Sequence, residues 1–443
     1  MKLEPAQVFL LPLPTRLLMA PDKAPAHIRA AVTAEQMRRA VYERRHAARP
    51  HLPHSLEEVQ RVLTSPQHEH LARTKTPGQA GQPPRPGEEL LFRGLIGTVG
   101  FQSLLWVFSN VVAWLNTTFF FFSDGTFDIV PLAPPGLSQL FVVVTMYMDN
   151  VIPVAYALME NRLEATYVHV LAKLNELGLR VTNATTDFQL GQANAWRRVF
   201  GATVSGCLVH HTRSSWGSVG RLGLLPTVRA NNLAEKCVRL LTTVPRLPFD
   251  RIGEGFNCVK AWARETGVYA EMFAFFAYFY TQWLVRVGPR LLSCWQRYHT
   301  STNVVESHHQ HLNVLANAAR VNIWELCEIF QTSHAEATAV ISAADVGNRS
   351  GRLRERSYRD LAQRVRDMER RLSEGLPIFQ FLNGLSHLMD NIRDPLLQLA
   401  EEEDARLPPD SDAMSISSSS SGGTVYSQEM DLGTDHLNVV TRT

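Results

Sequence analysis

Four consecutive phenylalanines, Phe119-Phe120-Phe121-Phe122, run directly into Ser123-Asp124-Gly125-Thr126-Phe127. Nothing in the run alternates toward water, so it predicts a fully buried strand. An acid at the end of such a strand, followed by Gly, is held rigidly at the edge of a core. Desolvating a carboxylate there costs several kcal/mol or shifts its pKa. The default for such a residue is a capped or salt-bridged edge acid, and the rest of the chain must decide whether Asp124 departs from it.

The 443 residues allow two or three compact units, or one core with insertions. A formal net charge of +2 gives no global signal for nucleic acid, so charge distribution matters more than the total. The five cysteines are odd in number and widely spaced, which is no disulfide framework and favours a reducing compartment. Near the N-terminus, Lys2, Glu4 and a short apolar patch ended by Pro12 make a poor secretory signal. Gly94 to Ser123 carries no charge and is long enough to cross a bilayer. Its polar residues recur in a stripe (Gln102, Ser109, Asn116 beside Ser103, Asn110, Thr117), which predicts an apolar helix packed within a soluble domain and no membrane span.

Along the chain, residues 1–89 read as an N-terminal arm. It holds a short helix opened by a Thr33–Gln36 capping box, a basic group (Arg38, Arg39, Arg44, Arg45 and Arg49), and a linker-like stretch at 73–88. The basic group is either a solvated helix face or a phosphate-contacting surface. Residues 141–148 and 151–158 predict a hairpin across an Asp149-Asn150 turn, with Pro153 near a strand start. A helix from Glu164 to Leu177 stops at Gly178. Strand 180–188, helix 192–200 and strand 203–210 follow, the last containing Cys207. The order β-β-β-α-β-α-β describes a mixed sheet with helices on both faces.

Residues 211–300 predict a helical insertion whose Phe- and Tyr-rich run at 273–280 is packing core. Helices follow from Val304 and from Asn322. A C-terminal helical region, 336–399, carries nine arginines against four acids between 349 and 372, with an apolar seam of Leu361, Val365, Met368 and Leu372. That stretch is either an ion-paired surface helix or a DNA-backbone contact. Residues 400–443 are acidic, then Ser- and Gly-rich, and predict disorder.

Two acids share one context, since Asp124 and Asp187 each end a strand. Neighbouring strands can bring such carboxylates together, and paired carboxylates can hold the Mg²⁺ or Mn²⁺ ions of phosphoryl-transfer chemistry. Glu306, on the helix after Asn303, is the third candidate; its plain alternative is a capping box with Asn303. Glu306-x-x-His309 has helical metal-ligand spacing but lacks a second such pair. Cys207 with His210 is half of a zinc set without two further ligands, so a buried thiol beside a hydrogen-bonded His stands equally, and spacing leaves His211 open in place of His210.

Taken together, Asp124-Gly125-Thr126-Phe127, Val151 to Met159, Thr186-Asp187-Phe188, Gly206 to His210, Thr302 to His308 and Trp324-Glu325-Leu326 occur in an order that resembles a Mutator-like element (MULE) transposase domain over about residues 90–335. The resemblance implies an α/β fold: an RNase H-like mixed-sheet core with a helical insertion, flanked by helical N- and C-terminal segments. It implies a catalytic, metal-binding triad of Asp124, Asp187 and Glu306, and cleavage of transposon ends followed by transfer of a 3′-hydroxyl to target DNA. DNA is the implied partner, a homo-oligomer the implied active form and the nucleus the implied location. Cys207 and His210 carry the family's Cys-x-x-His element, structural or metal-linked, with Zn the metal such a pair would take.

Two departures stand out. Gln189 replaces the acid usual after the Asp-Phe pair, and the Cys/His finger often found before the core is absent, the first cysteine being Cys207. End recognition then falls to the basic N-terminal helix, the Arg-rich helix or a partner. Two functions remain: an active transposase, which an intact triad favours, and a domesticated, catalytically inactive DNA- or chromatin-binding derivative, which the missing finger favours.

Overall fold

The computed structural model describes residues 49–75, 86–115, 120–297, 299–316, 321–347 and 356–388. Arg38, Arg39, Arg44, Arg45, the Thr33–Gln36 helix start and the 400–443 tail lie outside the described residues.

The first helix among the described residues is α1 (Leu56–Leu63), which Ser55 caps by accepting from the Glu58 N–H. A two-stranded antiparallel sheet pairs β1 (Arg73–Lys75) with β2 (Pro86–Leu90), so the stretch read as a linker carries strands at both ends. Next come β3 (Phe92–Ile96), β4 (Ser103–Val107) and the short α2 (Ser109–Trp114). The apolar helix expected before the Phe run is therefore replaced by two strands and a short helix, and the Phe run enters β5 as expected. Residues 103–107 are buried throughout, and a continuous apolar run fits a strand covered on both faces as well as it fits a buried helix. Among the described residues no helix is long and apolar enough to cross a membrane.

The central elements are β5 (Phe120–Thr126), β6 (Gln139–Tyr147), β7 (Asn150–Met159), α3 (Glu164–Glu176), β8 (Asn183–Thr186), α4 (Leu190–Phe200), β9 (Thr203–Gly206) and α5 (Leu208–Arg221). The expected order β-β-β-α-β-α-β holds. The sheet is mixed and seven-stranded, in the order β3-β4-β7-β6-β5-β8-β9. β3 to β5 pair antiparallel across the sheet, whereas β8 lies parallel to β5 and β9 parallel to β8. The β6–β7 loop is Met148-Asp149, one residue earlier than expected, and both residues have left-handed φ (47° and 64°), as a two-residue hairpin loop demands. Pro153 sits at a register shift opposite Val144, where its missing N–H removes no regular ladder bond.

A further difference from expectation is at the end of β9. The strand expected to reach His210 stops at Gly206, and Cys207 opens α5, so His210 and His211 lie on a helix. At the last residue of β9, the missing Cβ of Gly206 makes room for the ring of Phe188.

Beyond α5 the chain is helical, as expected: α6 (Leu225–Ala230), α7 (Asn232–Thr243), α8 (Ile252–Glu265), α9 (Phe273–Phe279), a π-helical segment at Tyr280–Val287 and α10 (Pro289–Leu292). Phe275, Phe276 and Phe279 are buried in this unit. The chain then returns to the sheet with α11 (Asn303–Ala316) and α12 (Ile323–Asp345) and closes with α13 (Arg356–Ser373) and α14 (Ile378–Leu388). Val365, Met368 and Leu372 of α13 pack inward, while Leu361 is exposed. Arg370 pairs with Asp367 and Glu374, so part of the charge on α13 is neutralised within the helix.

Helices α3 and α4 cover one face of the sheet, and α11 and α12 cover the other. Strand alternation assigns the side chains of β5 accordingly. The Ser123 hydroxyl accepts from Gln192 Nε2 (2.8 Å) and Trp196 Nε1 (2.9 Å) of α4, so its neighbour Asp124 faces the α11 side. On that side Tyr156 of β7 fixes both helices, with its hydroxyl 2.6 Å from His308 Nε2 and 2.8 Å from Ser333 Oγ. Its ring stacks on Phe330 with centroids 4.3 Å apart.

Candidate metal and phosphoryl-transfer site

The three parallel strands are in register: Ser123 pairs with Thr186, and Thr186 with Gly206. The next residue on each chain is Asp124, Asp187 and Cys207. Hydrogen-bonded strands lie about 4.8 Å apart, so these three residues form a short row along the carboxyl edge of β5, β8 and β9. In open α/β sheets that edge is where ligands bind. Phe121 and Phe122 anchor the row, since each is buried and contributes about 1.5–3 kcal/mol by leaving water.

The two aspartates are electrostatically uncomfortable. Burial and then the neighbouring Asp187 charge push Asp124 up to about 6, with Glu306 adding in the same direction. The Gly125 N–H, which donates to Asp124 Oδ1 at 2.8 Å, and the His210 charge oppose the rise. Burial also raises Asp187, against the Gln189 N–H donated to its Oδ1 at 3.1 Å and the charges of His210 and Arg162. Two like charges on a partly desolvated edge favour a proton or a cation between them.

A loop returning from the helical insertion brings the third acid. The Leu208 N–H donates to the Thr300 carbonyl (2.7 Å), and the Thr302 N–H donates to Cys207 Sγ (3.2 Å), which stitches the start of α11 to the start of α5. Thr302 Oγ1 lies 3.4 Å from His210 Nδ1. The first turn of α11 thereby sets Glu306 Oε1 3.3 Å from His210 Nε2, and Oε2 3.6 Å from Arg213 Nη1. The Asn303–Glu306 capping box is not formed; the Val305 and Glu306 N–H groups bond instead to the Thr302 carbonyl. A complete capping box opens the next helix, between Asn322 and Glu325.

His210 is held protonated chiefly by its hydrogen bond to Cys207, against burial, with the charges of Cys207, Asp124 and Glu306 adding to the upward shift. Burial would raise the Cys207 thiol, but His210 and the Thr302 N–H outweigh it and hold the thiol below its ordinary value. Cys207 and His210 thus bond to one another and to Thr302. His211, the alternative partner, is fully buried between Phe188, Phe279 and Trp283, and burial pushes it down to about 3.

Beside Asp187 and His210 an open cleft of about 860 Å³ is bounded by Asn161, Arg162, Gln189, Ser214, Gln282 and Trp283, among others. Gln189 is its structural hinge. Its Nε2 donates to the Arg162 carbonyl (2.9 Å) and its Oε1 accepts from the Tyr167 hydroxyl (2.8 Å). A glutamate at this position could not make the first bond, which gives the amide its physical reason.

Asp124, Asp187, Glu306, Cys207 and His210 are therefore neighbours. Among the described residues, no group of three or more His, Cys, Asp or Glu side chains is arranged to hold a metal ion. The surroundings of Asp124 are those a hard cation would offset: it is buried, it feels the charges of both Asp187 and Glu306, and Glu306 Oε1 is buried without a hydrogen-bond partner. Glu306 itself is turned toward His210 and Arg213. Of the basic group, Arg49 is bound internally, to Glu325 and, at 3.3 Å, to Glu328. Sequence reading missed Arg162 and Arg213. Arg213 follows His210 by one helical turn, a relation hidden while 203–210 was read as strand. No protein-family model and no curated protein matches the chain.

Proposed function

We propose that this chain is a DDE-type, transposase-like protein that cuts and joins DNA strands with divalent cations at Asp124, Asp187 and Glu306, on an RNase H-like core. The observation that carries the reading is the strand register, Ser123 opposite Thr186, that sets Asp124 of β5 beside Asp187 just past β8, with Glu306 of α11 near enough to act on Asp124. The mixed sheet, an antiparallel meander β5 to β7 extended by two parallel strands, and the helical stretch before α11 support the reading of an RNase H-like core with an insertion.

Mg²⁺ or Mn²⁺ bound there would supply activation of a water or 3′-hydroxyl and charge stabilisation at the leaving oxygen. The chain's own work is placement. β5 and β8 fix the two aspartates on a rigid edge. His210 and Arg213 hold Glu306 in reserve beside them, and its carboxylate joins the aspartates by giving up the His210 contact. His210, kept charged by its neighbours, is also a cation facing an anionic substrate.

A supercoiled-plasmid nicking assay with Mn²⁺ or Mg²⁺ tests the reading, wild type against Asp124→Asn. Metal-dependent nicking lost in the variant is the expected result; equal nicking by both, or by neither, removes the enzyme reading. One observation favours the second reading, a domesticated DNA- or chromatin-binding protein without catalysis: Glu306 is engaged with His210 and Arg213. On that reading the purified chain binds DNA and nicks nothing.

A further inference from the structure

We propose that Arg162, propped against Phe127 at the rim of the cleft beside Asp187, is a clamp for a phosphodiester of the DNA strand held at the acidic edge; the proposal rests on the strand-cutting reading above. The Arg162 guanidinium carbon lies 5.3 Å from the centroid of the Phe127 ring. Phe127 is 53% exposed, one residue past the end of β5 and three past Asp124. A large apolar ring left in water at that place has a function in holding the cation over it.

The guanidinium is available. Among the described residues it forms no hydrogen bond or ion pair, although its charge is felt at Asp187. Arginines beside buried carboxylates ordinarily fork onto them, and this one stands over a ring and faces an open cleft instead.

The backbone beneath it is fixed. The Arg162 carbonyl accepts from Gln189, which is itself joined to the Asp187 turn. Asn161 Oδ1 accepts from the Leu163 N–H (3.0 Å) and Thr166 Oγ1 (2.6 Å), and its Nδ2 donates to the Gly100 carbonyl (2.5 Å). A loop ordered before the ligand arrives spares the ordering entropy of binding. An unpaired fork of N–H donors beside an aromatic face, on a fixed backbone, matches a phosphate with a base stacked beside it.

The test is equilibrium binding of the full chain to a fluorescent duplex with a single-stranded overhang, followed by anisotropy in Ca²⁺ over a range of salt. Arg162→Ala is expected to weaken binding about tenfold and to reduce the slope of log affinity against log salt by about 0.7–0.9, one phosphate contact. Arg162→Lys keeps the charge and should restore the slope while leaving affinity below wild type. It also answers for the alanine variant should that fail to fold. Phe127→Ala should weaken binding with the slope unchanged, and Arg251→Ala, at an arginine paired with Glu254 in the helical insertion, should change neither. Wild-type binding with an unaltered slope in Arg162→Ala overturns the clamp and leaves the function standing. No DNA binding by wild type overturns both. Loss of binding to a polyglutamate probe in Arg162→Ala, with DNA binding intact, would assign the arginine to an acidic peptide and also overturn the clamp.

Discussion

Nε2 of His210 stands 3.3 Å from Oε1 of Glu306, joining the first turn of α5 to the first turn of α11. The contact has ion-pair distance without hydrogen-bond geometry, since Glu306 Oε1 has no hydrogen-bond partner. The acid from the far side of the helical insertion is therefore parked beside the two aspartates rather than locked away from them.

His210→Ala removes that parking place and the hydrogen bond to Cys207. Partners that orient metal-binding carboxylates are commonly worth about 10–100-fold in metal affinity or activity. The expected outcome is a loss of that size in Mn²⁺-dependent nicking, with a raised Mn²⁺ requirement in calorimetric titration. Wild-type metal affinity in the variant would mean that His210 does not position Glu306.

Asp124 should make the apo protein pH-sensitive. Burial holds its folded pKa at about 6, above its ordinary 3.8. The folded state then grips the proton more tightly than the unfolded chain. That stabilisation is fully present below about 3.8 and lost as pH rises through about 6, a liability on the order of 2–3 kcal/mol near neutrality. In EDTA, Asp124→Asn should melt above wild type near neutral pH, and the gap should close in mild acid. Mg²⁺ or Mn²⁺ should raise the wild-type Tm and leave the variant unmoved. A gap that does not vary with pH would count against the buried, repelled carboxylate.

Tyr156→Phe tests what holds α11 and α12 to the sheet. The hydroxyl serves His308 and Ser333, and burial keeps that imidazole neutral, pushed down to about 3. Removing the oxygen leaves both groups buried without it, at about 1–3 kcal/mol in denaturant unfolding. A change within experimental scatter would show that the helices are held by apolar packing alone.

Gly206→Ala tests the turn from β9 into α5. A Cβ at this position would stand inside the ring of Phe188, which is itself wedged against Trp283 and His211. The ring has little room to yield, so a cost of about 1–3 kcal/mol is expected. Because Phe188 follows Asp187, nicking should fall further than stability. A fully stable, fully active variant would place slack where the structure shows contact.

Much of the core was legible because its signals are local. The Phe run, the β6–β7 hairpin and the Gly178 helix stop each depend on side-chain period or on backbone freedom within a few residues. The misreadings share a different cause. The uncharged stretch from Gly94 up to the Phe run is apolar without a decisive period, so burial on both faces looked the same for a helix and for strands. The strand ending at Gly206 was read through to His210 because nothing local marks its end, and the Phe188 ring packed against Gly206 comes from the loop after β8.

The sequence by itself determined that Asp124 follows the Phe run of a buried strand, that Asp187 closes a later strand segment and that Glu306 lies in the first turn of a later helix, since propensity and pattern act along the chain; β5 itself runs on to Thr126. Only the tertiary structure decided that the strand ends align as a row, that Cys207 and His210 turn onto a helix, and that Glu306 rests on His210 and Arg213. It also decided that Arg162 stands unpaired over Phe127. These relations join residues from separate elements, and they exist only once burial has brought those elements together.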